Sequence, residues 1–265
     1  MQFERKDSYG IADLLEIVRI LRAPGGCPWD AEQTHASIRT SLLEETYEVA
    51  DAIDQQDGDL LREELGDLLL QVVMHAQMET ETGAFSFDDV CDGICKKLIY
   101  RHPHVFKAAE ELSSGQVLEN WEKLKNREKG RQTAKDRLSS VPHSLPALMR
   151  SAKVQKRAAD FGFGYEDTGA AFADLASEVE ELADAIRTGG DTRAELGDVL
   201  FAAVNVSRFV GADAEEALTE ATGRFEGRVV AVEQMAAQQG CELQALDAQT
   251  RDAFWKKAKL AEKAE

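Results

Sequence analysis

The chain has 265 residues, with 31 Lys and Arg against 49 Asp and Glu, for a formal net charge of −18. Hydrophobic residues make up 43% and charged residues 30%, a globular composition and not a disordered one. That acidity excludes a polynucleotide partner, whose phosphates would be repelled, and five prolines suit long helices better than a loop-rich β fold.

Helical periodicity runs along the whole chain. IADLLEIVRILR places apolar residues at 11, 14, 15, 18 and 21, the stripe of an amphipathic helix. APGGCPWD breaks it with Pro24, two glycines and Pro28. The pattern then predicts a helix from about Ser37 to Gln55, closed by QQDGD, and another from about Leu60 to Thr82, ending near Gly83. Ser86 is the expected N-cap of a third, running through Ile99. RHPHVF breaks the pattern at Pro103, and QVLENWEKLKNREK is helical again. Seven basic residues between Lys123 and Arg137, followed by VPHSLP, read as a solvated tether. No period-2 strand stands out.

The charged N-terminus lacks a signal-type apolar core, and LLLQVVMHA is about half of the ~20 residues a membrane span needs. A cytoplasmic protein without a membrane partner is the expectation. Cys27, Cys91, Cys95 and Cys241 form no CxxC or CxxH pair, so zinc is disfavoured; buried free thiols are expected at Cys91 and Cys95.

Beyond the tether the sequence repeats itself. EETYEVADAI (44–53) is answered by EVEELADAI (178–186), and EELGDLLLQVV (63–73) by AELGDVLFAAV (194–204). KLIYR (97–101) pairs with RFEGR (224–228), and NWEKLK (120–125) with FWKKAK (254–259). Four blocks in one order define two copies of one helical unit. The expected division is 1–125, a basic linker at 126–145, and 146–265.

Each copy carries Glu-x-x-Glu on one helix and Glu-x-x-Asp on the next: Glu45, Glu48, Glu64 and Asp67, then Glu178, Glu181, Glu195 and Asp198. Residues three apart share a helix face, so antiparallel packing makes each quartet converge. Four anions together repel one another unless a cation intervenes. Ligation by oxygen alone points to a hard ion, Mg²⁺ or Mn²⁺, and Mg²⁺ commonly completes its shell with substrate phosphates. A glycine beside the acids in both copies, Gly66 and Gly197, suggests close backbone approach there, because a mid-helix glycine costs about 1 kcal/mol relative to alanine. Arg224 and Arg228, with Lys97 and Arg101 as counterparts, are spaced to meet phosphate oxygens. Trp255 and Trp121 open the last helix of each copy, suited equally to base stacking and to core packing. His102 and His104 have no counterparts and read as capping or structural residues.

These segments resemble the MazG family of nucleoside triphosphate pyrophosphohydrolases in its long, two-domain form. GGCPWDAEQT, LLEETYEVADAI, EELGDLLLQVV, RHPHVF, SLPALMRSAKVQKRAADFGF and AELGDVLFAAVN carry the likeness, in order, over nearly the whole chain. The resemblance implies an all-α fold of four-helix units, a homodimer, and Mg²⁺-dependent hydrolysis of NTPs or dNTPs to the monophosphate and pyrophosphate. It implies metal ligation and catalysis by Glu178, Glu181, Glu195 and Asp198, and nucleotide contacts from Arg224, Arg228 and Trp255. The first quartet is intact as well. Two positions depart from the family pattern: Ser177 stands where the first copy has Glu44, and Asp191 precedes the second ELGD in place of a basic residue. The rival reading is a non-catalytic, nucleotide-sensing or scaffolding helical dimer; a di-iron bundle would need ExxH pairs, which neither copy has.

Overall fold

A computed structural model describes residues 3–107, 112–128 and 133–262, and all regular structure among them is helical. The chain divides into two compact units, Met1–Lys125 and Asn126–Glu265.

In the first unit, α1 (Ile11–Arg22) is followed by a tight turn and the short α2 (Pro28–Glu32). Gly26 is obligatory in that turn, since a Cβ there would lie 2.2 Å from the Ile20 carbonyl oxygen. α3 (Arg39–Asp54) and α4 (Gly58–Thr82) are joined by three residues, which forces an antiparallel hairpin. Asp57 caps α4, accepting from the amides of Asp59 and Leu60. α5 (Phe87–Arg101) starts with a Ser86–Asp89 capping box, as the serine suggests, and α6 (Pro103–Phe106) and α7 (Ser114–Glu128) follow. α1 and α5 pack on α4. Val18, Ile38, Val73, Met74 and Met78 form the core.

In the second unit, α8 (Ala134–Ser139) and α9 (Ala147–Ala159) precede a second hairpin of α10 (Thr168–Thr188) and α11 (Thr192–Val210). α12 (Ala214–Gln238), a 3-10 turn at Leu243–Ala245 and α13 (Ala248–Glu262) complete it. Val232, Ala236, Leu246, Phe254 and Ala258 are its core cluster. α9 packs on α11 as α1 packs on α4, so the repeat extends upstream of the blocks visible in the sequence.

Three expectations are corrected. The tether over 126–145 is not simply solvated chain. Within it α8 begins with a Thr133–Asp136 capping box, Val141 is buried, and Arg157 donates to the Arg137 carbonyl and to Ser140 Oγ, each at 2.6 Å. Arg137 pairs with Asp160 and lies 5.3 Å over the Phe161 ring, so this stretch is fastened to the second unit. The Lys123 and Arg127 side chains, and residues Lys129 and Arg131, lie outside what is described. Second, Cys95 is exposed and Cys91 half-buried, so they are not two buried thiols. Third, Gly66 and Gly197 adjoin open space: an added Cβ would meet nothing within 4 Å. His102 does cap: its Nδ1 lies 2.7 Å from the Leu98 carbonyl at the end of α5. No described helix is long and apolar enough to cross a membrane.

α10 depends on one cap. The Asp167 carboxylate accepts from the Ala170 amide at 2.8 Å, satisfying a donor that the helix leaves unpaired. Asp167→Ala is expected to destabilise the second unit by about 1 kcal/mol in urea unfolding.

Candidate active site

The hairpins bring the predicted acids together. Glu45 and Glu48 sit one turn apart on α3 and meet Glu64 of α4; one carboxylate oxygen from each lies within 4.8 Å of the others. Glu178, Glu181 and Glu195 repeat the arrangement on α10 and α11. Asp67 and Asp198, the fourth member of each set, stand just outside these triads yet act on them electrostatically. Desolvation pushes the Glu45 carboxyl up, with Asp67, Glu48 and Glu64 adding to it. Desolvation raises Glu64 too, reinforced by Glu48, Glu63 and Asp67. Glu178 is raised by desolvation, then by Glu181, Asp198, Asp174 and Glu195.

Among the described residues, none of the eight acids pairs with a protein cation. A convergent, oxygen-only donor set with unrelieved repulsion fits a hard divalent ion. Imidazole and thiolate, the ligands that zinc, copper and iron favour, are absent from both triads.

Both departures from the family pattern have local roles. Ser177 Oγ donates to Glu181 Oε1 at 3.2 Å, steadying one acid of the second triad. Asp191 is the N-cap of α11, accepting from the amides of Arg193 and Ala194, as Asp57 does for α4. Sequence reasoning missed Asp174, one turn ahead of Glu178. Its carboxylate neighbours Tyr165, whose phenol is pushed up to about 12 by Asp174 first, then by burial and by the Glu178 charge. The four-residue spacing to Glu178 was the available signal; at the same offset the first copy has Ser41.

The basic and aromatic residues form a second group in each unit. Arg228 Nε pairs with Glu262 at 2.5 Å, and its guanidinium lies 5.8 Å over Trp255. Arg224 pairs with Glu220 at 3.3 Å and reaches Glu262 at 3.9 Å. In the first unit Arg101 is buried 5.2 Å over Trp121, with the Lys125 ammonium 4.7 Å from the same ring, and Lys97 is half-buried. Trp255 packs against the core and also lines a cavity of ≈720 Å³ with Phe225, Val229, Leu243, Arg251 and Asp252. Trp121 borders one of ≈430 Å³. The fold thus joins arginine to tryptophan, but in the free chain Arg224 and Arg228 rest on Glu262 and not on the acid quartet.

Residues 33–106 and 168–232 match the MazG nucleotide pyrophosphohydrolase domain. The chain belongs to the MazG family. Both MazG matches contain a full acid quartet and its paired basic residues, while Trp121 and Trp255 lie beyond them. The chain is 44% identical over 254 residues to the nucleoside triphosphate pyrophosphohydrolase of Escherichia coli K12, covering 94% of this chain and 97% of that protein. It is 40% identical over 247 residues to the nucleoside triphosphate pyrophosphohydrolase/pyrophosphatase MazG of Thermotoga maritima, covering 93% and 94%. A Mycobacterium tuberculosis nucleoside triphosphate pyrophosphohydrolase is 43% identical over 154 residues, 57% of this chain and 46% of the other.

Proposed function

We propose that the protein hydrolyses nucleoside triphosphates, ribo or deoxy, to the monophosphate and pyrophosphate, with Mg²⁺ or Mn²⁺ held by the acid quartet of the second unit. The observation that carries this reading is the convergence of Glu178, Glu181 and Glu195, unpaired by any described cation, in a MazG chain. The extra carboxylate Asp174, whose charge bears on Glu178, supports the choice of the second unit over the first.

When bound, the ion neutralises the triphosphate and polarises its oxygens as a Lewis acid. Glu178, Glu181, Glu195 and Asp198 would hold it. Arg224 and Arg228 exchange Glu262 for substrate phosphates, where guanidinium groups stabilise charge developing on the departing pyrophosphate. Trp255 offers its open face to the base, and the apolar cavity beside it admits a ring without demanding one hydrogen-bond pattern. Water attacks the α-phosphorus in line as the bond to the pyrophosphate oxygen breaks.

We read the active form as a homodimer. Leu65 and Leu69 of α4 are exposed, and Leu196 and Leu200 repeat them on α11, each set beginning next to a site acid. Phe172, Val179 and Ile186 add an exposed stripe with a seven-residue period on α10, the pattern of a helix that seeks another helix. The role that suits such an enzyme is clearing unwanted triphosphates from the cytoplasmic nucleotide pool.

Incubated with each common NTP and dNTP and Mg²⁺, the protein is expected to release one pyrophosphate per nucleotide, none in EDTA, and to elute as a dimer. No pyrophosphate from any nucleotide would leave a sensing or scaffolding dimer in its place.

A further inference from the structure

The first unit holds a cluster that the proposed reaction does not use. His35, in the turn just ahead of α3, meets His75 of α4 edge to edge, with ring planes 5° apart and the two Nδ1 atoms 2.7 Å apart. On the far side of the His35 ring, Nε2 lies 2.7 Å from Glu79 Oε1. His75 Nε2 is shielded from solvent and has no hydrogen-bond partner. The cluster borders a groove of ≈440 Å³ otherwise lined by apolar side chains, among them Leu42, Val72, Phe85 and Val90.

The protons follow from these distances. A carboxylate only accepts, so His35 Nε2 carries the hydrogen facing Glu79. The two facing Nδ1 atoms then share a single proton. With His35 neutral, that proton belongs to His75 Nδ1, and the shielded Nε2 of His75 is a bare acceptor. This is the economical arrangement, because a hydrogen on that nitrogen would be a buried donor without an acceptor, costing about 1–3 kcal/mol.

We infer that Glu79, His35 and His75 form a one-proton latch that fastens the turn ahead of α3 onto α4 and is released by acid. A further proton on the pair would either set two N–H groups face to face at 2.7 Å or put a hydrogen on the shielded nitrogen, and each choice costs closure. Burial and the neighbouring His35 accordingly hold His75 below the usual imidazole range. For a base so lowered, the opened state binds more protons than the closed one as pH falls through about 6.5, so closure is lost in that direction.

The surrounding charges are already engaged. From α1, Arg22 pairs with Glu81 at 2.9 Å and donates to the carbonyls of Asp30 and Gln33. From α5, Asp89 turns back to cap Ser86; α3 meets the groove with apolar Leu42. The latch belongs to the first unit alone. At the offset of 131 residues that relates Glu64 to Glu195, the counterparts of His75 and Glu79 are Val206 and Val210. What it guards is the start of the helix that carries Glu45 and Glu48, where Ile38 enters the core.

Imidazole nitrogen NMR of the wild-type chain tests the proton assignment. At pH 8, His75 is expected to be protonated at Nδ1 and bare at Nε2; the opposite tautomer overturns the latch. Amide exchange, corrected for its intrinsic pH dependence, tests the release. Protection of residues 33–38 is expected to fall about tenfold per pH unit below the midpoint, the slope of one added proton. α11 should serve as an unchanged reference. In His75→Asn, which removes the lowered base itself, that slope should vanish. A wild type without the slope, or a variant that retains it, would overturn the proposal, and the tautomer reading stands even if the variant folds poorly.

Discussion

Glu181→Gln is expected to lower pyrophosphate release by about 10²–10⁴-fold at saturating nucleotide, while Glu48→Gln leaves the rate little changed. The substitution conserves shape, removes one anionic oxygen donor, and leaves Ser177 a partner at the same place. What it takes away is charge at the point where the ion must be gripped, and metal-assisted stabilisation of a triphosphate transition state amounts to several kcal/mol. Its first-unit counterpart removes an equivalent oxygen from Glu45, Glu48 and Glu64. Steady-state assays of the two variants, side by side, assign the chemistry. Loss in Glu48→Gln with activity kept in Glu181→Gln would move catalysis to the first unit.

Mg²⁺ alone is expected to raise the unfolding temperature on the order of 10 °C over an EDTA-treated sample. An ion at 100 times its dissociation constant stabilises the folded state by about 2.7 kcal/mol, and a unit of this size converts each kcal/mol into a few degrees. The pH dependence follows from the carboxyls. Glu45, Glu64 and Glu178 are raised in the folded state, so they favour folding when protonated and lose that contribution as pH rises through their folded values. Without metal the clusters therefore oppose folding at neutral pH. The Mg²⁺ increment should be largest there and shrink as pH falls toward the raised carboxyl range. Calorimetry at pH 5, 6 and 7, with and without Mg²⁺, checks it; an increment that does not depend on pH would contradict carboxylate ligation.

The acid sets were legible in the sequence because carboxylates three residues apart on a helix leave a spacing that survives any packing, and a second copy in register raises that spacing above chance. The upstream part of the repeat was not legible. α1 buries Val18, whereas α9 buries Gln155, whose amide donates to the Phe201 carbonyl at 2.7 Å, so the two helices share a place without sharing a residue type. α8 is only six residues long, too short to show a period, and its cap is Thr133–Asp136 where a glutamate or glutamine marks the usual signature. His35 and His75 are 40 residues apart, and only the packing of the turn on α4 makes them neighbours. The basic residues and tryptophans were recognisable as a pair by spacing, yet nothing in the sequence indicated that Glu262 would occupy Arg228 in the free chain.

Gly66 and Gly197 separate two questions that are usually entangled. Each lies within a helix, between the acids of its ELGD segment, and the chain itself puts no atom where a Cβ would go. Alanine at either position meets no clash within the protein and favours the helix by about 1 kcal/mol. The fold therefore gains from the exchange. Any activity, ion affinity or subunit affinity lost with it must be charged to something outside the chain that lies flush against bare backbone. These two positions are thus internal probes of what arrives at the helix surface after folding is complete.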